Sequence, residues 1–201
     1  MLIKILSSKK YSDLTHNFIK KKNKKIGEIG SFSGNNLRYF IEQGFKTYGV
    51  EINNELIKMG KDNLKRLGYS LPTILKGNNQ KIPISTNFLD CLVSINTIHY
   101  DYGYNIEKVF KEFNRVVKKN GLVLIETVGC HHTAFTNSIC NNELDWTWKA
   151  GGFRNNKKVG FFYSKEHLKN KLLKTFSKVE VYERKEFMKM KLHFYFAVCI
   201  K

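Results

Sequence analysis

Apolar positions along the chain alternate between two periods. Residues 11–19 place Tyr11, Leu14 and Phe18 at helical spacing, and a basic hinge, Lys20 to Lys25, precedes a short strand, Lys25 to Ile29. The turn Gly30-Ser31-Phe32-Ser33-Gly34 then opens a helix that carries Leu37, Phe40 and Ile41 on one face and stops at Gly44. Thr47 to Glu51 reads as a second strand, Asn54 to Leu67 as a helix closed by Gly68, Thr73 to Lys76 as a third strand and Asp90 to Ile95 as a fourth. The clearest helix follows, because Ile106, Val109, Phe110, Phe113, Val116 and Val117 line one side of a 3.6-residue repeat. Gly121 turns the chain into an apolar strand, Leu122 to Thr127, expected to be buried on both faces. After a less regular stretch, 128–162, Ser164 caps a helix with Leu168, Leu172 and Leu173 inward, and two strands near 178–184 and 192–200 close the chain.

Strand and helix alternating this regularly predict an α/β fold around a mostly parallel sheet. No repeat, linker or composition break divides the 201 residues, so one domain is expected. Its parts are an N-terminal helical segment (1–24), a core (25–127), a pocket segment (128–163) and a C-terminal helix with a hairpin (164–201).

Composition excludes more than it suggests. With 42% hydrophobic and 26% charged residues the chain has the make-up of a soluble globular protein. No uncharged apolar run reaches the roughly 20 residues of a membrane span. Lys4 inside the first apolar stretch argues against a secretory leader. Cys91, Cys130, Cys140 and Cys199 lie far apart, without a C-x-x-C pair, and read as reduced thiols of a cytoplasmic protein rather than as metal ligands. The net charge of +18 suits a polyanionic partner, but only 5 of the 35 basic residues are arginine, the residue whose planar fork reads nucleic acid. Nucleic acid therefore ranks behind a small-molecule partner.

The segment Glu28 to Asn35 is the most informative. Glycines between a strand and a helix let a ligand lie against main-chain N–H groups. Glu51 ends the next strand, 21 residues beyond Gly30, where a carboxylate can accept both ribose hydroxyls of an adenosine. A dinucleotide would want glycine where Phe32 stands, and Glu28 is a poor neighbour for phosphates. S-adenosylmethionine, with a sulfonium, an ammonium and no phosphate, fits such a carboxylate better.

On these residues the chain resembles the class I S-adenosylmethionine-dependent methyltransferases, in particular their small-molecule group. The family's acidic-x-G-x-G-x-G motif appears as Glu28-x-Gly30-x-Phe32-x-Gly34, with the middle glycine replaced. Glu51 matches the ribose-binding acid. G-D-A-x-x-L-P appears as Gly77-Asn78-Asn79-Gln80-Lys81-Ile82-Pro83, with Asn78 in place of the aspartate that reaches the adenine amino group. Leu89-Asp90-Cys91-Leu92-Val93-Ser94 followed by Asn96-Thr97-Ile98-His99 resembles the fourth motif, and Arg115 to Gly121 the turn before the fifth strand. The resemblance implies a doubly wound seven-stranded sheet with helices on both faces and an antiparallel C-terminal hairpin. It implies Glu28, Gly30, Ser31, Phe32, Gly34, Glu51, Ile52, Asn78, Asn79 and Ser94 as the cofactor site.

Methyl transfer from a sulfonium is an in-line displacement, and the protein's part is to align the acceptor and exclude water. His99, just after the fourth strand, is the candidate general base. Tyr11, Tyr100, His131, Trp146 and Arg154 are the candidate acceptor contacts, offering flat apolar faces and one forked cation. His131, His132 and Cys130 sit together on one loop without a second spaced pair, so no metal is expected. Two other readings compete: an RNA methyltransferase, favoured by charge, and an inactive methyltransferase-like binding module, favoured by Phe32, Asn78 and Asn120.

Overall fold

A computed structural model describes residues 23–69, 73–101, 106–133, 139–141, 147–149, 158–187 and 191–201. The expected helix at 11–19 with Tyr11, and the candidate contacts Trp146 and Arg154, lie outside them. The described strands and helices run in the order β1 (Lys25–Ile29), α1 (Asn35–Glu42), β2 (Lys46–Glu51), α2 (Asn54–Arg66), β3 (Thr73–Lys76), β4 (Leu89–Ile95), α3 (Ile106–Val116) and β5 (Val117–Val128). They continue with β6 (Ile139–Asn141), β7 (Thr147–Lys149), β8 (Lys158–Gly160), α4 (Lys165–Leu173), β9 (Lys178–Phe187) and β10 (Lys191–Ile200).

Seven strands form one sheet in the order β3-β2-β1-β4-β5-β10-β9. Pairings from β3 through β5 are parallel, and β10 runs antiparallel to both β5 and β9. This is the expected doubly wound sheet with its C-terminal hairpin at one edge. Strand order reverses at β1, which lies between β2 and β4, and ligands of open α/β sheets bind beyond the carboxyl ends at such a point.

Alternation along the strands divides the core between the two faces. Leu92, Val123, Ile125, Tyr195 and Ala197 pack beneath α3 and α4, whereas Cys91, Val93, Leu124, Phe196 and Val198 share the other face with Phe40 of α1. The predicted stripe of α3 is buried throughout: Ile106, Val109, Phe110, Phe113 and Val116 are at most 1% exposed. Arg115, on the same helix, donates to the carbonyls of Ile82 and Ile84 (2.9 Å each), and Glu112 accepts the Ile82 N–H (2.7 Å). Those bonds hold the segment after β3 in place and so position one wall of the site.

Three expectations need correction. Val117 belongs to β5 rather than to the preceding helix, since it pairs with Leu89 while Leu122 pairs with Cys91, and residues 118–121 bulge between the two. Leu173 is exposed: Leu168 and Leu172, four apart, already take the inward stripe of the short α4, and the next residue turns away. The stretch 128–162 holds a small second sheet, β6-β7-β8, antiparallel throughout, whose three-residue strands are too short to carry a readable alternation.

Candidate active site

The carboxyl ends of β1, β2 and β4, together with the loop after β3, surround a cavity of about 530 Å³. Its wall includes Gly30, Phe32, Glu51, Ile52, Asn78 and Asn79 of the expected cofactor set. It also includes Asn96, Thr97, Tyr100 and Asp101 from the segment after β4. Two carboxylates, Glu51 and Asp101, face it, and no lysine, arginine or histidine is among its described lining.

The glycine turn is built by backbone geometry. The N–H groups of Gly30 and Ser31 both donate to the Val50 carbonyl, at 2.8 and 3.2 Å, which ties the turn to the end of β2. Gly30 has φ 72°, and a β-carbon there would strike the Thr97 methyl, so glycine is required both by conformation and by close approach. Phe32 also has a positive φ, 44°, which strains an L side chain where the family's pattern has glycine. Its side chain is 56% exposed on the cavity wall, so the replacement keeps the backbone path and adds an aromatic face to the site.

Glu51 is buried and already engaged. One carboxylate oxygen accepts the N–H groups of Ile52 (2.9 Å) and Asn53 (3.2 Å), and the other accepts that of Phe32 (3.1 Å). A carboxylate offers about four acceptor positions, so one more donor fits without displacement. Acceptance of both ribose hydroxyls, the expected role, would need one of these N–H bonds to give way, because Glu51 also anchors the glycine turn.

Glu28 is buried at 2% exposure and does not line the cavity. One of its oxygens accepts from the Asn36 amide at 2.6 Å, while the other is buried without a hydrogen-bond partner among the described residues. Burial pushes its carboxyl up to about 8, the Asn36 bond opposes this, and the nearby Glu51 adds to it. Ser31 and Ser94 are buried too, with the Ser94 hydroxyl hydrogen-bonded to that of Thr97, so they support the wall rather than form it.

His99 is 1% exposed in the 3₁₀ turn Ile98–Tyr100 and lies off the cavity wall. Its ring packs 4.3 Å from that of Tyr100, which is half exposed and lines the cavity. His131 sits elsewhere on the same sheet edge, its ring stacked 5.2 Å from His193. His193 Nδ1 accepts the His131 backbone N–H (3.0 Å), which leaves Nε2–H to donate to Glu183 (2.8 Å). Burial lowers the His193 pKa, keeping the ring neutral and able to accept. Among the described residues no cluster of His, Cys, Asp or Glu could hold a metal ion, and no helix is long and apolar enough to cross a membrane.

Sequence reasoning missed Asn96, Thr97 and Asp101 as lining residues. Position was the available signal, since each follows the carboxyl end of a strand beside the switch point. The pair His193–Glu183 carried no local signal, for only strand pairing brings the two residues together.

With this geometry in view, residues 27–125 match the model of a methyltransferase domain family. That match spans 99 of the 201 residues, and the fold is that of the class I S-adenosylmethionine-dependent methyltransferases. A protein of Pyrococcus horikoshii has the same fold at 18% identity, with 97% of this chain and 92% of that one covered and a TM-score of 0.74. An S-adenosylmethionine-dependent methyltransferase of Methanosarcina mazei gives 15% identity, 94% and 97% coverage and a TM-score of 0.73. A phosphoethanolamine N-methyltransferase of Haemonchus contortus, solved with phosphomonomethylethanolamine and S-adenosylhomocysteine, gives 14% identity and a TM-score of 0.68 over 90% of this chain and 49% of its own. No curated protein sequence matches the chain.

S-adenosylmethionine is the cofactor that the methyltransferase domain match implies. The cavity fits that group, since carboxylates without basic side chains suit a cationic ligand that carries no phosphate.

Proposed function

We propose that the protein methylates an oxygen or nitrogen atom of a small-molecule acceptor. The carrying observation is the charge of the cavity: in a chain of +18, the described wall holds two carboxylates and no basic side chain. A nucleic-acid methyltransferase must lead a phosphate backbone toward the reacting methyl group and lines that approach with lysine and arginine. The absence of proline from Ser94-Ile95-Asn96-Thr97 supports the same choice. The small acceptor in the Haemonchus contortus neighbour adds to it.

When bound, the cofactor supplies an activated methyl group on a cationic sulfur. The chain's own residues then align and shield. In this reading Glu51 takes a ribose hydroxyl on its remaining acceptor position, and Ile52, 64% exposed on the wall, covers the adenine face. Glu28 and Asn36 support the glycine turn from behind. Tyr100 borders the acceptor, and His99 acts through it as a positioning residue. His131 borders the acceptor at the same sheet edge. Cys91, Cys130 and Cys199 are free thiols, and burial pushes all three up, which suits a reducing cytoplasm.

Incubation with methyl-labelled cofactor, a cell metabolite extract and total RNA tests the reading. Label in a low-mass compound separated from the cofactor supports it. Label in RNA overturns the choice of acceptor, and label that stays on the cofactor alone overturns the transfer activity.

A further inference from the structure

Asn78 stands where the resemblance puts the reader of the adenine amino group, and the structure shows its oxygen committed elsewhere. The side-chain oxygen accepts the N–H groups of Gln80 and Lys81, each at 2.9 Å, and so closes the turn after β3. A carbonyl oxygen has two acceptor positions, and both are used. A further donor could bind there only by breaking the turn.

The same part of the cavity wall holds a carboxylate with room to spare. Asp101, at the end of the turn after β4, lines the cavity together with Asn78, Asn79 and Ile52. One of its oxygens accepts the Asn79 amide and the other the Gln80 amide (3.3 Å), so about two of its four acceptor positions remain. These bonds join the loop after β3 to the turn after β4 across the carboxyl ends of β1 and β2, and they fix the direction of the carboxylate. An acceptor beside amide donors complements the edge of adenine, which offers an amino donor next to a ring-nitrogen acceptor. Burial raises the Asp101 pKa and the two amides oppose the rise, so the group sits in a partly dry site where an unmatched donor or acceptor is costly.

We propose that Asp101, rather than Asn78, accepts the exocyclic amino group of the cofactor's adenine and makes the site selective for it. The inference rests on S-adenosylmethionine occupying this cavity. It departs from the resemblance in moving base recognition from the loop after β3 to the turn after β4.

Calorimetric titration with S-adenosylhomocysteine and with its hypoxanthine counterpart, whose 6-oxo group replaces the amino group, tests it. Wild type should prefer the adenine compound by about tenfold or more, the factor expected of one charge-assisted hydrogen bond. Asp101→Asn, close in shape and able to turn its amide toward either compound, should bring the preference near unity. Asn79→Ala, which removes one side of the bridge and leaves the carboxylate, should keep the preference even if both affinities fall. Parallel weakening with the wild-type preference intact in folded Asp101→Asn would mean that Asp101 only joins the loops, and would overturn the proposal. Equal binding of the two compounds by wild type overturns it without any variant. Failure of wild type to bind either compound overturns the cofactor's place in this cavity, and the proposal with it.

Discussion

The backbone N–H of Phe32 donates to the carboxylate of Glu51 over 3.1 Å, so the strained residue of the glycine turn is held by the acid at the end of the next strand. The proposed cofactor contact and the local structure therefore depend on one side chain. Glu51→Ala leaves three backbone donors without their acceptor in a buried place. It should weaken S-adenosylmethionine binding more than about tenfold and also lower stability by roughly 1–3 kcal/mol. Calorimetric titration and urea unfolding measure the two separately. Lost affinity with unchanged stability would show that the three N–H bonds contribute nothing to holding the turn.

Glu28 links stability to pH. Its carboxyl is raised from an ordinary 4.5 to about 8 in the folded protein, chiefly by burial. Below about pH 4.5 both folded and unfolded chains carry the proton, and Glu28 contributes no pH dependence. Between about 4.5 and 8 only the folded chain holds it, so stability falls as pH rises, by at most about 1.4 kcal/mol per pH unit. Glu28→Gln, which keeps an acceptor for Asn36 and has nothing to ionise, should match wild type in urea unfolding at pH 4.5 and exceed it at pH 8. Equal stability at both pH values would show that Glu28 is not desolvated as its burial implies.

Gly30 and Thr97 form a close pair across the cavity's edge. Gly30→Ala should destabilise the protein for two reasons, a positive φ and contact with the Thr97 methyl. Thr97→Ser removes that methyl and keeps the hydroxyl bonded to Ser94. The double variant should regain part of the lost stability, leaving about 1 kcal/mol for the conformational strain. Denaturant unfolding of the two single variants and the double gives the coupling directly. Simple additivity would remove the contact from the explanation.

Much of the fold could be read because its signals are local. The stripe from Ile106 to Val116 and the glycines that end α1 and α2 depend on neighbours within a turn or two. Glu51 and the glycine turn were legible for the same reason, since a fixed spacing along the chain expresses them. Asp101 was not, because its role depends on Asn79 and Gln80, more than twenty residues earlier, and on Asn78 having spent its oxygen within its own turn. His99 shows the opposite failure. Its place after β4 pointed to the site, but Ile98 and His99 both turn into the core and leave Tyr100 on the wall.

A carboxylate-lined cavity inside a chain of +18 also has a kinetic consequence. S-adenosylmethionine carries a net positive charge at neutral pH, so it approaches through a repulsive field and meets attraction only at the wall. Salt screens the long-range part, with a Debye length of about 10 Å at 0.1 M, and reaches the enclosed contacts much less. Association of the cofactor should therefore become faster as salt is raised from low concentration, while its dissociation changes little. An anionic acceptor should show the reverse dependence, drawn in most strongly at low salt. The surface charge would then act as an ordering device in time, hastening the acceptor and delaying the cofactor.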